Sequence, residues 1–96
     1  MVNKTEQYKP TYLKTFTLRD VKDVSEIRND IEKQMILIIR ITPLAQRDVD
    51  DLRVVVEDLY KCVNSFGGDI SRLGEERIII TPPSVKIWHK GNDTNL

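Results

Sequence analysis

Apolar and polar positions change period several times along the chain, and each change marks an element. In "TYLKTFTL", residues 11–18, Tyr12, Lys14, Phe16 and Leu18 alternate with Leu13, Thr15 and Thr17. That alternation, rich in β-branched and aromatic residues, predicts a first strand. "RDVKDVSEIRNDIEKQ" shifts to a helical period, with Val21, Val24, Ile27 and Ile31 on one stripe and charge around the rest. "MILIIRI", residues 35–41, is a nearly unbroken apolar run of strand length, the pattern of a central strand. Thr42 and Pro43 end it, because proline cannot donate to a ladder. A longer helix is predicted from about Arg47 to Ser65, with Val49, Leu52, Val55, Val56, Leu59, Cys62 and Val63 on one apolar face. Asp48, Asp50 and Asp51 crowd its first turn, where the helix dipole favours negative charge, and Arg53, Glu57 and Lys61 form a solvated ladder outside.

The stretch "GGDISRLGEERIIITP", residues 67–82, allows two readings. Freed backbone N–H groups of a glycine pair can cradle an anion, and glycine also ends helices. Direction favours the second: in phosphate loops the glycines precede a helix, whereas Gly67 and Gly68 follow one and lead into a strand. "DISRL" and "RIII" then form a hairpin around "GEE", with Gly74 in the turn, and "SVKIW" is expected as a last strand beyond Pro82 and Pro83. The order is β-α-β-α-β-β-β over residues 11–90. Residues 1–10 and 91–96 are polar and aperiodic, and read as loose ends.

Two crossover helices predict an α/β two-layer sandwich, with both helices on one face of a mixed sheet of about five strands. In the central strand Met35, Leu37, Ile39 and Ile41 point one way, and Ile36 and Ile38 the other. One helical layer leaves a row of large apolar side chains without cover, and pairing two sheets face to face in a homodimer supplies it. Met35, Leu37, Ile39 and Ile41 are taken as that dimer face.

Composition narrows the function. A chain of 96 residues is one domain with a modest core. Fifteen basic and fifteen acidic residues cancel, so no whole-molecule field draws it onto nucleic acid or an anionic membrane. Arg72, Arg77, Lys86, His89 and Lys90 are interleaved with Asp69, Glu75 and Glu76 rather than forming a basic stripe, and no nucleic-acid partner is expected. One cysteine, Cys62, excludes an internal disulfide, and a single histidine, His89, leaves no zinc-type cluster. No metal or cofactor is expected. A reducing, cytoplasmic compartment fits, since "MVNKTEQYKP" lacks a signal-peptide core and no run approaches the roughly twenty apolar residues of a membrane span.

Catalytic patterns are missing as well. No nucleophile elbow, zincin helix, Walker loop or dinucleotide fingerprint occurs, His89 has no orienting neighbour in sequence, and the acidic cluster at 48–51 is accounted for by capping. The expectation is a non-enzymatic protein-binding module, with apolar strand edges, a rigid hairpin and an arginine able to fork onto a partner's carboxylate.

The long helix followed by "GGDISRLGEERIIITPPSVKIW" resembles the C-terminal core domain of the SepF family of cell-division proteins, in particular its archaeal branch. The resemblance covers about residues 12–89. Its most specific part is the glycine pair, Asp69, Ile70, Arg72, Gly74 and the closing "ITP", while "MILIIRITPL" matches more loosely. It implies a dimeric α/β scaffold that binds the C-terminal tail of the tubulin-like protein FtsZ and links it to the membrane in cytokinesis. Arg72 and Ile78 match a basic and an apolar position of the family's tail-binding region. Both Arg72→Glu and Ile78→Asp are then expected to lose the tail while still folding. Gly67, Gly68 and Gly74 are structural turn positions in this reading. Membrane attachment would run through an N-terminal amphipathic helix that "MVNKTEQYKP" does not contain. The alternative is a small-ligand-sensing regulatory module of ferredoxin-like or ACT type.

Overall fold

The computed structural model describes residues 9–88. Four strands and three α-helices follow in the order β1 (Leu13–Thr17), α1 (Val24–Glu32), β2 (Ile36–Arg40), α2 (Thr42–Arg47), α3 (Val49–Phe66), β3 (Asp69–Leu73) and β4 (Arg77–Thr81), with a short 3-10 turn, Val21–Asp23, leading into α1. The strands form one sheet in the order β1-β2-β4-β3. β1 and β2 are parallel, and β4 runs antiparallel to both β2 and β3. The two crossovers, β1 to β2 and β2 to β3, progress the same way across the sheet, so right-handed connections put all helices on one face.

Each helix begins and ends for a local reason. Asp20 accepts the Lys22 N–H while Asp23 accepts the N–H groups of Arg19 and Asp20, fixing the entry to α1. Gln34, in the left-handed region at φ 62°, closes its exit. Asp48 accepts from the N–H groups of Asp50 and Asp51 at the start of α3. Gly67 takes φ 78° at its end, and the N–H groups of Gly67 and Gly68 bond back to Asn64 and Val63. A Cβ at Gly68 would collide with the carbonyl oxygen of Thr81, so the helix end and the last strand meet only through glycine. Gly74, at φ 74°, makes the hairpin turn between β3 and β4.

The structure departs from the sequence reading in three places. "SVKIW" is not a fifth strand: the chain turns at Pro83 and Ser84 and runs back. Thr81 Oγ1 donates to the Val85 carbonyl at 2.8 Å, and the Ile87 N–H donates to Asp69 Oδ2 at 3.2 Å. Pro43 starts a helix as well as ending a strand, because a first-turn proline loses no hydrogen bond there. The third departure concerns the sheet faces. Leu37, Ile39 and Ile41 are buried, packed with Ile27, Ile31, Val55, Leu59 and Val63 under the helices, and Met35 packs at the margin of that core. The residues assigned to a dimer face are therefore the core face. The opposite row carries Ile36, Ile38 and Ile79, half-buried, flanked by exposed Leu13 and Leu73. Among the described residues, the segment returning after β4 covers that row only at its end near Asp69 and Thr81.

Candidate functional site

Only five residues of β3 stand at the sheet edge, while the eighteen-residue α3 runs back along the same side of the molecule. The apolar face of α3 is wider than the sheet beneath it can use. Val55, Leu59 and Val63 fill the core, whereas Val49, Val56 and Tyr60, with Leu52 at the core margin, wall a cleft. Ile70 and Arg72 of β3 form the other wall, and Ile41 and Ile78 the floor. The cleft holds about 640 Å³, inside the roughly 300–1,000 Å³ typical of ligand sites. Arg53, Glu57 and Glu75 stand at its lips.

Arg72 and Ile78 thus come together in one cleft, as cross-strand partners of β3 and β4. Their exposures differ. Arg72 is exposed, with no carboxylate within ion-pair distance among the described residues. Ile78 is 4% exposed and belongs to the core as much as to the cleft. An aspartate there would bury a carboxylate, so Ile78→Asp is not the folded binding variant expected from the sequence. Gly67, Gly68 and Gly74 lie outside the cleft lining. The lining residues Tyr60, Val56 and Ile70 were not singled out as site residues by sequence reasoning. A signal existed: the α3 stripe splits into 55-59-63 and 49-52-56-60, and one sheet cannot bury both.

At the opposite edge the helix-side charge is satisfied within the fold. Lys14 of β1 lies on the helix side of the sheet, 2.8 Å from the buried carboxylate of Asp30 and 3.2 Å from Glu26, both on α1. Its ammonium also lies 5.9 Å from the Phe16 ring centroid. The hydrogen bonds to Asp30 and then Glu26 hold the Lys14 pKa above its ordinary value. Arg28 and Asp58 tie α1 to α3 across the top. Cys62, half-buried between these helices, has its thiol pKa pushed up by burial, the opposite of an activated nucleophile. No group of three or more metal-ligating side chains assembles among the described residues. His89 lies outside them, as do residues 1–8 and 90–96.

The fold and cleft define a class: a small α/β sandwich with a mixed sheet, one helical layer and an open apolar cleft along one sheet edge. The family profile described as "Cell division protein SepF" matches residues 13–87, and the chain belongs to the SepF family. Similar solved structures include two archaeal proteins. The SepF-like protein from Archaeoglobus fulgidus superposes with a TM-score of 0.77 at 27% identity, covering 84% of this chain and 96% of that one. The SepF-like protein from Pyrococcus furiosus gives 0.76 at 24% identity, covering 84% and 98%. No curated protein matches the sequence.

Proposed function

We propose that this SepF-family protein is a non-enzymatic scaffold of cell division that captures the C-terminal tail of FtsZ in the cleft between α3 and β3. The observation that carries this reading is the meeting of Arg72 and Ile78 in one open cleft, a guanidinium with no ion pair among the described residues over an apolar floor. An extended tail with an apolar residue and a carboxylate would satisfy both. The second sheet face supports self-association: Ile36, Ile38 and Ile79, with Leu13 and Leu73, form a row that a second copy can cover. Residence on the inner side of the membrane would then depend on an attached anchor. No helix among the described residues is long and apolar enough to cross a membrane.

The test is titration of the host's FtsZ tail peptide into the protein by calorimetry. Saturable binding that Arg72→Glu removes, with an unchanged melting temperature, upholds the reading; no heat from the wild-type protein overturns it. Light scattering at micromolar concentration tests the dimer, which gives twice the chain mass.

A further inference from the structure

The hydrogen-bond register of the sheet, followed outward strand by strand, reaches an edge that can accept one more strand. Ile41 N–H donates to the Glu76 carbonyl at 2.8 Å, one step beyond the Arg40–Arg77 pair. Opposed residues of an antiparallel ladder alternate between bonded and non-bonded pairs. Ile39–Ile78 and Leu37–Ile80 are therefore the bonded pairs of β2 and β4. The other side of β2 agrees: the Ile36 N–H and Arg40 carbonyl bond toward β1, to the Tyr12 carbonyl and the Leu18 N–H. It follows that Arg77, Ile79 and Thr81 direct their backbone groups at β3, to Leu73, Ser71 and Asp69. Ile70 and Arg72 are left with backbone groups pointing off the edge, and the same two residues line the cleft.

Half of that edge is already occupied. Asp69 Oδ1 accepts the Ile70 N–H at 3.0 Å, and Ser71 Oγ makes a long 3.4 Å contact to the Arg72 carbonyl. The Ile70 carbonyl and the Arg72 N–H have no partner among the described residues. An acceptor on residue i and a donor on residue i+2 are the two groups that a single residue of a parallel neighbour uses. The β3 edge carries neither proline nor lysine to repel an incoming strand.

We propose, resting on the tail-capture reading, that β3 takes up the partner peptide as an added parallel strand. The residue across from Ser71 is clamped by both hydrogen bonds, and its two neighbours place their side chains in the cleft. The neighbour beside Ile70 and Tyr60 is apolar, and the one beside Arg72 is acidic. The recognised pattern is an apolar residue, any residue able to adopt extended backbone, then aspartate or glutamate. A second copy of this chain fits poorly as the occupant. Its β3 offers only Ile70 and Arg72 on the cleft face and would bring a second guanidinium beside the first.

The experiment follows amide exchange of isotopically labelled protein saturated with the host's FtsZ tail peptide, with binding measured independently by calorimetry. Exchange at the Arg72 N–H should slow at least tenfold, while that of Ile70, held by Asp69, changes little. A scan of the peptide with single N-methyl groups should find one backbone position that costs more than tenfold in affinity, flanked by two that tolerate the methyl group. Saturable binding with Arg72 exchange unchanged, or with N-methylation tolerated throughout, overturns strand addition while leaving tail capture intact. Absence of any binding overturns both.

Discussion

The two edges of the sheet carry the same kind of residue and treat it in opposite ways. At β1, Lys14 reaches under α1 and is held by Asp30, whose side chain is 5% exposed, and by Glu26. At β3, Arg72 stands at the corresponding helix-side position with no carboxylate within ion-pair distance among the described residues, and α3 leaves a cleft instead of closing on the strand. The difference lies in the helices. α1 places carboxylates at positions 26 and 30, one turn apart, within ion-pair reach of Lys14, whereas the α3 face along the cleft offers Val49, Val56 and Tyr60, and its Glu57, at the lip, makes no ion pair with Arg72. Both edge strands leave backbone groups facing outward; what distinguishes β3 is an open apolar cleft beside them and a charge with no ion pair among the described residues, both of which a partner can use.

The contrast can be broken most severely at the cleft floor. Ile78→Asp should destabilise the domain by on the order of 3 kcal/mol or more, because a carboxylate replaces a core side chain, and thermal melting checks it. Tyr60→Ala, which trims only the exposed wall, should leave the melting temperature nearly unchanged and weaken the peptide. Exchanging charge at the two edges separates their roles next. Arg72→Glu should cost at least tenfold in tail affinity with no change in melting, while Lys14→Glu, which adds a third carboxylate beside Asp30 and Glu26, should lower the melting temperature and leave affinity alone. Equal effects of the two substitutions on both readouts would end the distinction. On the open sheet face, Ile38→Glu should convert a dimer to a monomer in light scattering without loss of fold, since the side chain is only half-buried.

The smallest effect is one of pH. The folded-state pKa of Lys14 is raised, so its contribution is fully present below the ordinary lysine value of 10.5 and is lost as pH rises through the higher folded value. Melting temperature should therefore fall at strongly alkaline pH, and Lys14→Met should remove that component. The Asp20 pKa is lowered, chiefly by the Lys22 backbone N–H and further by Arg47. Its contribution is present above the ordinary carboxylate value of 3.8 and is lost as pH falls through the lower folded value. Acid thus loosens the entry to α1, and alkali the β1 edge.

Local signals were readable where local chemistry decides the outcome. The stop of α3 at Gly67, the Asp48 cap, the hairpin around Gly74 and the central position of β2 all follow from residue types acting on their own neighbours. "SVKIW" misled because its alternation is that of a strand, but Pro82 and Pro83 remove the donors that a ladder needs, and Asp69 and Thr81 hold the segment in a turn instead. Pro43 misled because the same residue that ends a strand is well suited to the first turn of a helix.

The periodicities by themselves determined that a mixed sheet with one helical layer would form and that apolar residues would line both faces of β2. Which row became core was decided only in three dimensions. Both rows are isoleucine and leucine, equally able to be buried, and the handedness of the crossovers places the helices over Leu37 and Ile39 rather than Ile36 and Ile38. The cleft was decided the same way. An apolar stripe shows that side chains seek cover, but the number of strands beneath a helix sets how many find it, and the described residues place no strand past β3.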